Sequence, residues 1–222
     1  MKLPIFETQW TESFPISAKV LSKGAALITK PQALFKSAAL FLFWQEIVKN
    51  SREMGCVCPS SRKLSAAMAE HVTTDGLEDG LVVELGGGTG VITQALLDRG
   101  IPHEQIVVVE RSEAMVNFLK EKFPKTRVLC GDAVHLSKLL GSDISKVKVI
   151  VSSLPFRALS FKTIRQISRE VDQVLLKGGK FIQFTYALHS KVTLLPSRFQ
   201  KVKSKIVWRN LPPARVDVFE SC

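Results

Sequence analysis

The chain has 222 residues, 45% of them apolar and 23% charged, with four cysteines and 31 Lys+Arg against 20 Asp+Glu, a formal net charge of +11. This size and mix fit one large globular domain, alone or with an extension, and exclude collagen-like, mucin-like and wholly disordered chains. Four cysteines without a C-x-x-C pair exclude a disulfide scaffold and point to a reducing compartment, and the positive balance favours a polyanionic partner, either nucleic acid or an anionic membrane surface.

In chain order, residues 1–50 read as helix. No basic stretch followed by an apolar core opens the chain, so no signal peptide is expected. No uncharged apolar run reaches the roughly 18 residues of a membrane span. Apolar Phe14, Leu21, Leu34, Phe41 and Trp44 are interspersed with Lys19, Lys23, Lys30 and Lys36. This predicts one or two amphipathic helices, broken at Pro31 and suited to an anionic interface. The first, up to about Thr29, is the expected membrane contact. Cys56-x-Cys58 has no nearby His and no second pair, so no metal site is expected.

From about residue 75 the pattern alternates. Leu81–Leu85 is an apolar run broken only by Glu84, followed at once by glycines and by helical spacing over Val91–Leu97. Strands are predicted at Gln105–Val109, Arg127–Cys130, Val147–Val151 and Lys180–Tyr186, and helices at Ala114–Lys122 and Ile164–Leu176, the latter stopped by Gly178-Gly179. Strands buried on both faces read as continuous apolar runs, so the expectation is a mostly parallel sheet with helical crossovers. Lys205–Arg209 and Arg215–Phe219, joined through Pro212-Pro213, read as a closing antiparallel hairpin.

The strongest motif is Glu84-Leu85-Gly86-Gly87-Gly88-Thr89-Gly90, set between a strand and a helix. Glycines let a backbone turn sharply and approach a ligand with no Cβ in the way, and the start of the next helix offers free N–H groups. No register of a dinucleotide G-x-G-x-x-G fits. The spacing E-x-G-x-G-x-G resembles the first motif of the class I S-adenosylmethionine-dependent methyltransferases. That resemblance implies a Rossmann-like fold with a mostly parallel seven-stranded sheet, an antiparallel C-terminal hairpin and, in this chain, an N-terminal helical extension. It implies S-adenosylmethionine as cofactor, its methionine end held by Glu84 and the loop Gly86, Gly87, Gly88, Thr89 and Gly90. Glu110, closing the second strand beside Arg111, is then expected to accept from the ribose hydroxyls. Asp132, beside Ala133 after the third strand, is expected to accept from the adenine amino group.

After the fourth strand, Ser152-Ser153-Leu154-Pro155-Phe156 resembles the N-L/P-P-Y/F motif of amino-group methyltransferases, in which a polar side chain and a backbone carbonyl hold the acceptor nitrogen. Ser153 stands where that family has Asn or Asp. Phe181–Tyr186, Asn210–Val216 and Gly55–Met68 resemble bacterial phospholipid N-methyltransferases, which convert phosphatidylethanolamine towards phosphatidylcholine. The resemblance implies an acceptor site at Ser153, Leu154, Pro155, Phe156 and Tyr186, with Ser153 also near the cofactor. Tyr186, the only tyrosine, is a candidate ring for a cationic headgroup. Arg198, Arg215 and Lys201 are candidate phosphate ligands, among which the sequence does not choose.

The reading divides the chain into a helical extension over 1–50 and a methyltransferase domain over 51–222. It expects a monomer in the cytoplasm, held at the inner face of the membrane by its basic surface. Two rivals share the fold: an rRNA adenine N6-dimethyltransferase-like enzyme, and a non-catalytic nucleic-acid-binding protein.

Overall fold

The computed structural model describes residues 61–188, 195–210 and 212–222. The predicted extension over 1–50, its amphipathic helices, and Cys56 and Cys58 lie outside the described residues.

The described chain opens with α1 (Arg62–Ala69), started by the Ser61 hydroxyl, which accepts from Leu64 N. It continues with β1 (Leu81–Leu85), α2 (Val91–Asp98), β2 (Ile106–Glu110), α3 (Glu113–Lys122), β3 (Arg127–Cys130), α4 (Leu136–Leu140) and β4 (Val147–Ser152). It closes with α5 (Phe161–Val174), β5 (Lys180–Thr185), β6 (Phe199–Val207) and β7 (Ala214–Ser221). The strands form one seven-stranded sheet in the order β3-β2-β1-β4-β5-β7-β6. β1 to β5 are parallel, and β7 runs antiparallel to both β5 and β6. The expected Rossmann-like, mostly parallel seven-stranded sheet with its antiparallel C-terminal hairpin is thus the observed one.

Period-two alternation splits the core between the two sheet faces. Val82, Val108, Val151 and Ile182 pack with Met68, Leu96 and Leu119 on one side. Val83, Leu85, Ile150 and Phe181 pack with Ile164, Ile167 and Val171 on the other. All five residues of β1 are buried; a central strand covered on both faces therefore reads as a continuous apolar run.

Many element ends shift from expectation by one or two residues, and some departures are larger. α5 begins at Phe161, because Ser160 caps it by accepting from Thr163 N. Two helices, α1 and the short α4, were not expected. β6 begins at Phe199 rather than Lys205, and its residues from Gln200 to Lys205 are exposed. It is one of the two edge strands of the sheet. A lysine-rich edge strand carries no apolar alternation to reveal it, and its charges guard the open edge against pairing with another chain.

The chain order makes β1 the centre from which the sheet grows first through β2 and β3 and then through β4 and β5. Such a switch point leaves a crevice at the carboxyl ends of β1 and β4, the usual ligand position in an open α/β sheet.

Candidate functional site

The carboxyl ends of four strands are bonded side by side. Gly86 N donates to Val109 O at 2.8 Å, Gly131 N to Glu110 O at 2.9 Å, and Ser153 N to Leu85 O at 2.9 Å. The ladder therefore runs on past the strands and brings the glycine loop, Glu110, Asp132 and the Ser153 loop to one edge, as the sequence predicts.

The glycine loop is packed from below and open above. Gly86, Gly88 and Gly90 have φ of +81°, +50° and +74°, a region that favours glycine. A Cβ on Gly87 would meet Val108 and Leu119, and one on Gly90 would meet Phe123 and Leu119. At Gly88 a Cβ would meet nothing within 4 Å. That side is the cradle. Lys122, at the end of α3, donates to Thr89 O at 3.0 Å, with its ammonium 5.0 Å from the centre of the Phe123 ring. Burial holds the Lys122 pKa below its ordinary value, Arg62 pushes the same way, and Glu84 opposes both.

Glu84 is 1% exposed. Its Oε2 accepts from the Thr93 hydroxyl at 2.5 Å, and its Oε1 is buried without a hydrogen-bond partner. Burial pushes its carboxyl up from 4.5 to about 8; the Thr93 hydrogen bond acts against that shift and the Glu110 charge adds to it. A buried acid with a free oxygen beneath an open glycine loop suits a ligand that brings a cationic donor.

Glu110 supports the loop directly. Its Oε2 accepts from Gly88 N at 3.0 Å and its Oε1 from Ser112 N at 2.8 Å. The carboxylate thus joins the loop to the start of α3, and each oxygen keeps a further lone pair. Asp132 Oδ1 accepts from Val134 N at 3.1 Å, and its Oδ2 lies 3.8 Å from the exposed Arg111 guanidinium. Ala133 is buried behind it.

The Ser153 loop is held rather than free. The Ser153 hydroxyl shares its single proton between Leu85 O, at 3.0 Å, and Gly86 O, so the residue in the Asn/Asp position ties its loop to the glycine loop. The Leu154 carbonyl accepts from Phe156 N at 2.9 Å and from Gln183 Nε2 at 2.9 Å, which occupies both its lone pairs. Pro155 has φ −79° and ψ 76°, so the three residues form an inverse γ-turn. Phe156 is buried, its ring centre 6.3 Å from that of Phe181. Tyr186 is half-buried and meets Phe184 edge-on at 5.4 Å.

The three candidate phosphate ligands are committed elsewhere, which corrects that expectation. Arg215 donates to Asp217 Oδ2 at 3.1 and 2.8 Å and to Leu188 O at 2.7 Å. Lys201 reaches the same carboxylate at 3.1 Å, and Ser204 donates to its other oxygen at 2.7 Å. Arg198 bonds Asp172, Ser221 and the Leu175 carbonyl. A buried carboxylate must be paired, and cations from a long basic segment pair it. The sequence reading gave no role to Thr93, Lys122, Gln183 and Asp217; Gln183 lies within the Phe181–Tyr186 segment, and its partner Leu154 is distant in the chain. Among the described residues no helix is long and apolar enough to cross a membrane.

The residues fit S-adenosylmethionine. The cradle is open at Gly88, the acid below it has an unpartnered oxygen, and carboxylates cap the next two strand ends.

Comparisons with known proteins agree. The family described as "Methyltransferase domain" matches residues 82–179. The chain is 32% identical over 178 residues to an ornithine lipid N-methyltransferase of Singulisphaera acidiphila, covering 78% of this chain and 92% of that protein. It is 35% identical over 100 residues to a ribosomal RNA small subunit methyltransferase A of Bradyrhizobium sp., covering 42% of this chain but only 33% of that protein. In fold it is similar to TrmN from Thermus thermophilus, with a TM-score of 0.62 and 18% identity over 77% of this chain and 52% of that one. The chain belongs to the class I S-adenosylmethionine-dependent methyltransferases, in one family with the ornithine lipid enzyme, and S-adenosylmethionine is its cofactor.

Proposed function

We propose that this methyltransferase N-methylates the amine of a membrane lipid, phosphatidylethanolamine and its partly methylated products, at the inner surface of the membrane. The observation that carries the reading is the extent of the likeness. The lipid N-methyltransferase is matched over 92% of its length, whereas the rRNA enzyme is matched over 33%. The second relation covers 42% of this chain, an extent that a shared cofactor alone accounts for.

The carboxyl edge of the sheet supports the same reading. Phe161 is 83% exposed and Trp208 is 68% exposed. Phe161 opens α5, just after β4. Trp208 follows β6, which runs in the same sense as β5 because β7 is antiparallel to both. Both aromatics therefore stand at the carboxyl edge of the sheet. No Asp or Glu occurs over 153–169 or 199–213, and Lys162, Arg165 and Arg209 are exposed. Exposed aromatics with cations and no acids suit an anionic bilayer, each cation contributing on the order of 1 kcal/mol.

On this reading Glu84 and the loop from Gly86 to Gly90 hold the methionine end of the cofactor, Glu110 the ribose and Asp132 the adenine. When bound, the cofactor supplies an electrophilic methyl group. The acceptor must be a neutral amine, and the loop from Ser153 to Phe156 offers no titratable side chain as base. Its contribution is placement of the amine, which removes much of the entropic barrier. Tyr186 is the candidate ring for the cationic headgroup as methyls accumulate.

Radiolabelled methyl transfer tests the reading. Vesicles containing phosphatidylethanolamine, vesicles containing an ornithine lipid and total RNA are offered in parallel. Label in the first supports the proposal. Label in the ornithine lipid alone keeps lipid N-methylation and corrects the headgroup. Label in RNA alone overturns the proposal.

A further inference from the structure

Gln183 stands on β5 in register with Ser152, the last residue of β4, and is 8% exposed. Its Nε2 donates to Leu154 O at 2.9 Å and to Phe184 O at 3.1 Å. Its Oε1 is buried and has no hydrogen-bond partner. The orientation is fixed, because a flipped amide would set an oxygen against two carbonyls. Burying an unpaired amide oxygen opposes folding, and a methionine or leucine would fill the space without that penalty. What the carboxamide adds is its hold on the Leu154 carbonyl.

That carbonyl closes the inverse γ-turn of the acceptor loop through Phe156 N at 2.9 Å. The same residue lies against the cofactor loop: a Cβ on Gly86 would stand 3.0 Å from Leu154 Cδ2 and 2.9 Å from the Ser153 hydroxyl. The loop is thus pinned on one side by Ser153, to the glycine loop, and on the other by Gln183, to β5. Of the two pins only Gln183 comes from a distant part of the chain and acts on the turn itself.

We propose that Gln183 is a positioning residue for methyl transfer: by holding the Leu154 carbonyl it sets the turn that presents the acceptor nitrogen to the cofactor side. The inference deepens the amine-acceptor reading and rests on it. It predicts an effect on the chemical step, not on cofactor binding, since no atom of Gln183 bonds the glycine loop.

Two variants of the full chain test it, with phosphatidylethanolamine vesicles as acceptor and cofactor affinity from calorimetry. Gln183→Met keeps the volume and removes the donor. Its kcat should fall roughly ten- to hundredfold, the scale on which misplaced groups slow a reaction, with the cofactor Kd within about twofold of wild type. Gln183→Glu adds a signature that bare packing would not give. A protonated carboxyl can still donate to Leu154 O, whereas an ionised one opposes two carbonyls. The ratio of its kcat to that of wild type should therefore fall as pH rises. A wild-type kcat in Gln183→Met, a cofactor affinity that falls in step with kcat, or a flat ratio for Gln183→Glu would each overturn the proposal. If wild type labels RNA and not lipid, the lipid reading fails alone, and the same ratios measured on RNA decide the role of Gln183.

Discussion

The buried acid of the cofactor loop gives the sharpest prediction. Glu84 titrates at about 8 when folded, against an ordinary 4.5, because burial penalises its charged form. Between these two values the folded chain carries a proton that the unfolded chain does not. Stability then falls as pH rises, with a slope of at most about 1.4 kcal/mol per pH unit and a total of at most about 5 kcal/mol. The contribution is fully present below pH 4.5 and has gone once pH passes about 8. Glu84→Gln keeps the shape and the possibility of a bond to Thr93 but cannot ionise. Its loss of stability between pH 5 and 8 should be shallower than that of wild type. For a domain of this size about 1 kcal/mol moves Tm by roughly 2–4 °C, so the two Tm curves should diverge by roughly 3–6 °C per pH unit. Differential scanning calorimetry of both proteins without cofactor, from pH 5 to 9, is the measurement. Parallel curves would refute the assignment of a proton to Glu84. The same logic links cofactor and proton. A cationic donor meeting Glu84 Oε1 requires the ionised form, so cofactor affinity should rise by about tenfold per pH unit below about 8, and this dependence should vanish in Glu84→Gln.

Gly88→Val should abolish cofactor binding by calorimetry while Tm drops by only a few degrees: the position faces open space within the protein, and the strain at φ +50° is about 1–2 kcal/mol. Glu110→Ala strips an acceptor from Gly88 N and Ser112 N as well as from any ligand, so cofactor affinity should fall by about 1–3 kcal/mol; unchanged affinity would remove it from the site. Asp217→Ala leaves the buried Arg215 guanidinium without its carboxylate and should destabilise the chain by about 3–5 kcal/mol in denaturant titration, whereas a loss under 1 kcal/mol would show that Arg215 finds another partner.

The parallel half of the fold was legible because its strands are short and doubly covered. β1, β2 and β4 are buried nearly end to end, so each appears in the sequence as a block of β-branched and apolar residues cut off by Gly, Glu or Ser. α4 and most of β6, which the sequence did not reveal, lack that cover. β6 lies at the edge, where Lys201, Lys203 and Lys205 face solvent and only Phe199 and Val207 at its ends are buried. α4 is too short to show a helical period, with only Leu136 and Leu140 buried. In these segments position in the sheet decides the structure, and position is not a local property of the chain.

The same distinction divides the site. Glu84, the glycines, Glu110 and Asp132 lie within one turn of a strand end, and the parallel ladder automatically sets successive strand ends beside one another. A cofactor held by strand tips is therefore written in contiguous motifs. Contacts beyond the strand tips are assembled across the chain: Gln183 reaches back to Leu154, Arg215 to Leu188, and Lys201 across the hairpin to Asp217. Here sequence gives the residue type without its partner. In a basic segment that looks available for phosphate, Lys201 and Arg215 balance the buried Asp217, Arg198 pairs with the part-exposed Asp172, and Arg215 fastens Leu188, two residues beyond Tyr186, to β7. Lys162, Arg165 and Arg209, by contrast, are exposed in stretches without Asp or Glu, and they neighbour the exposed aromatics Phe161 and Trp208 in the chain. Charge count alone could not separate these two sets. Burial does, because a cation beside a desolvated carboxylate is bound to it far more strongly than to anything it could reach through water.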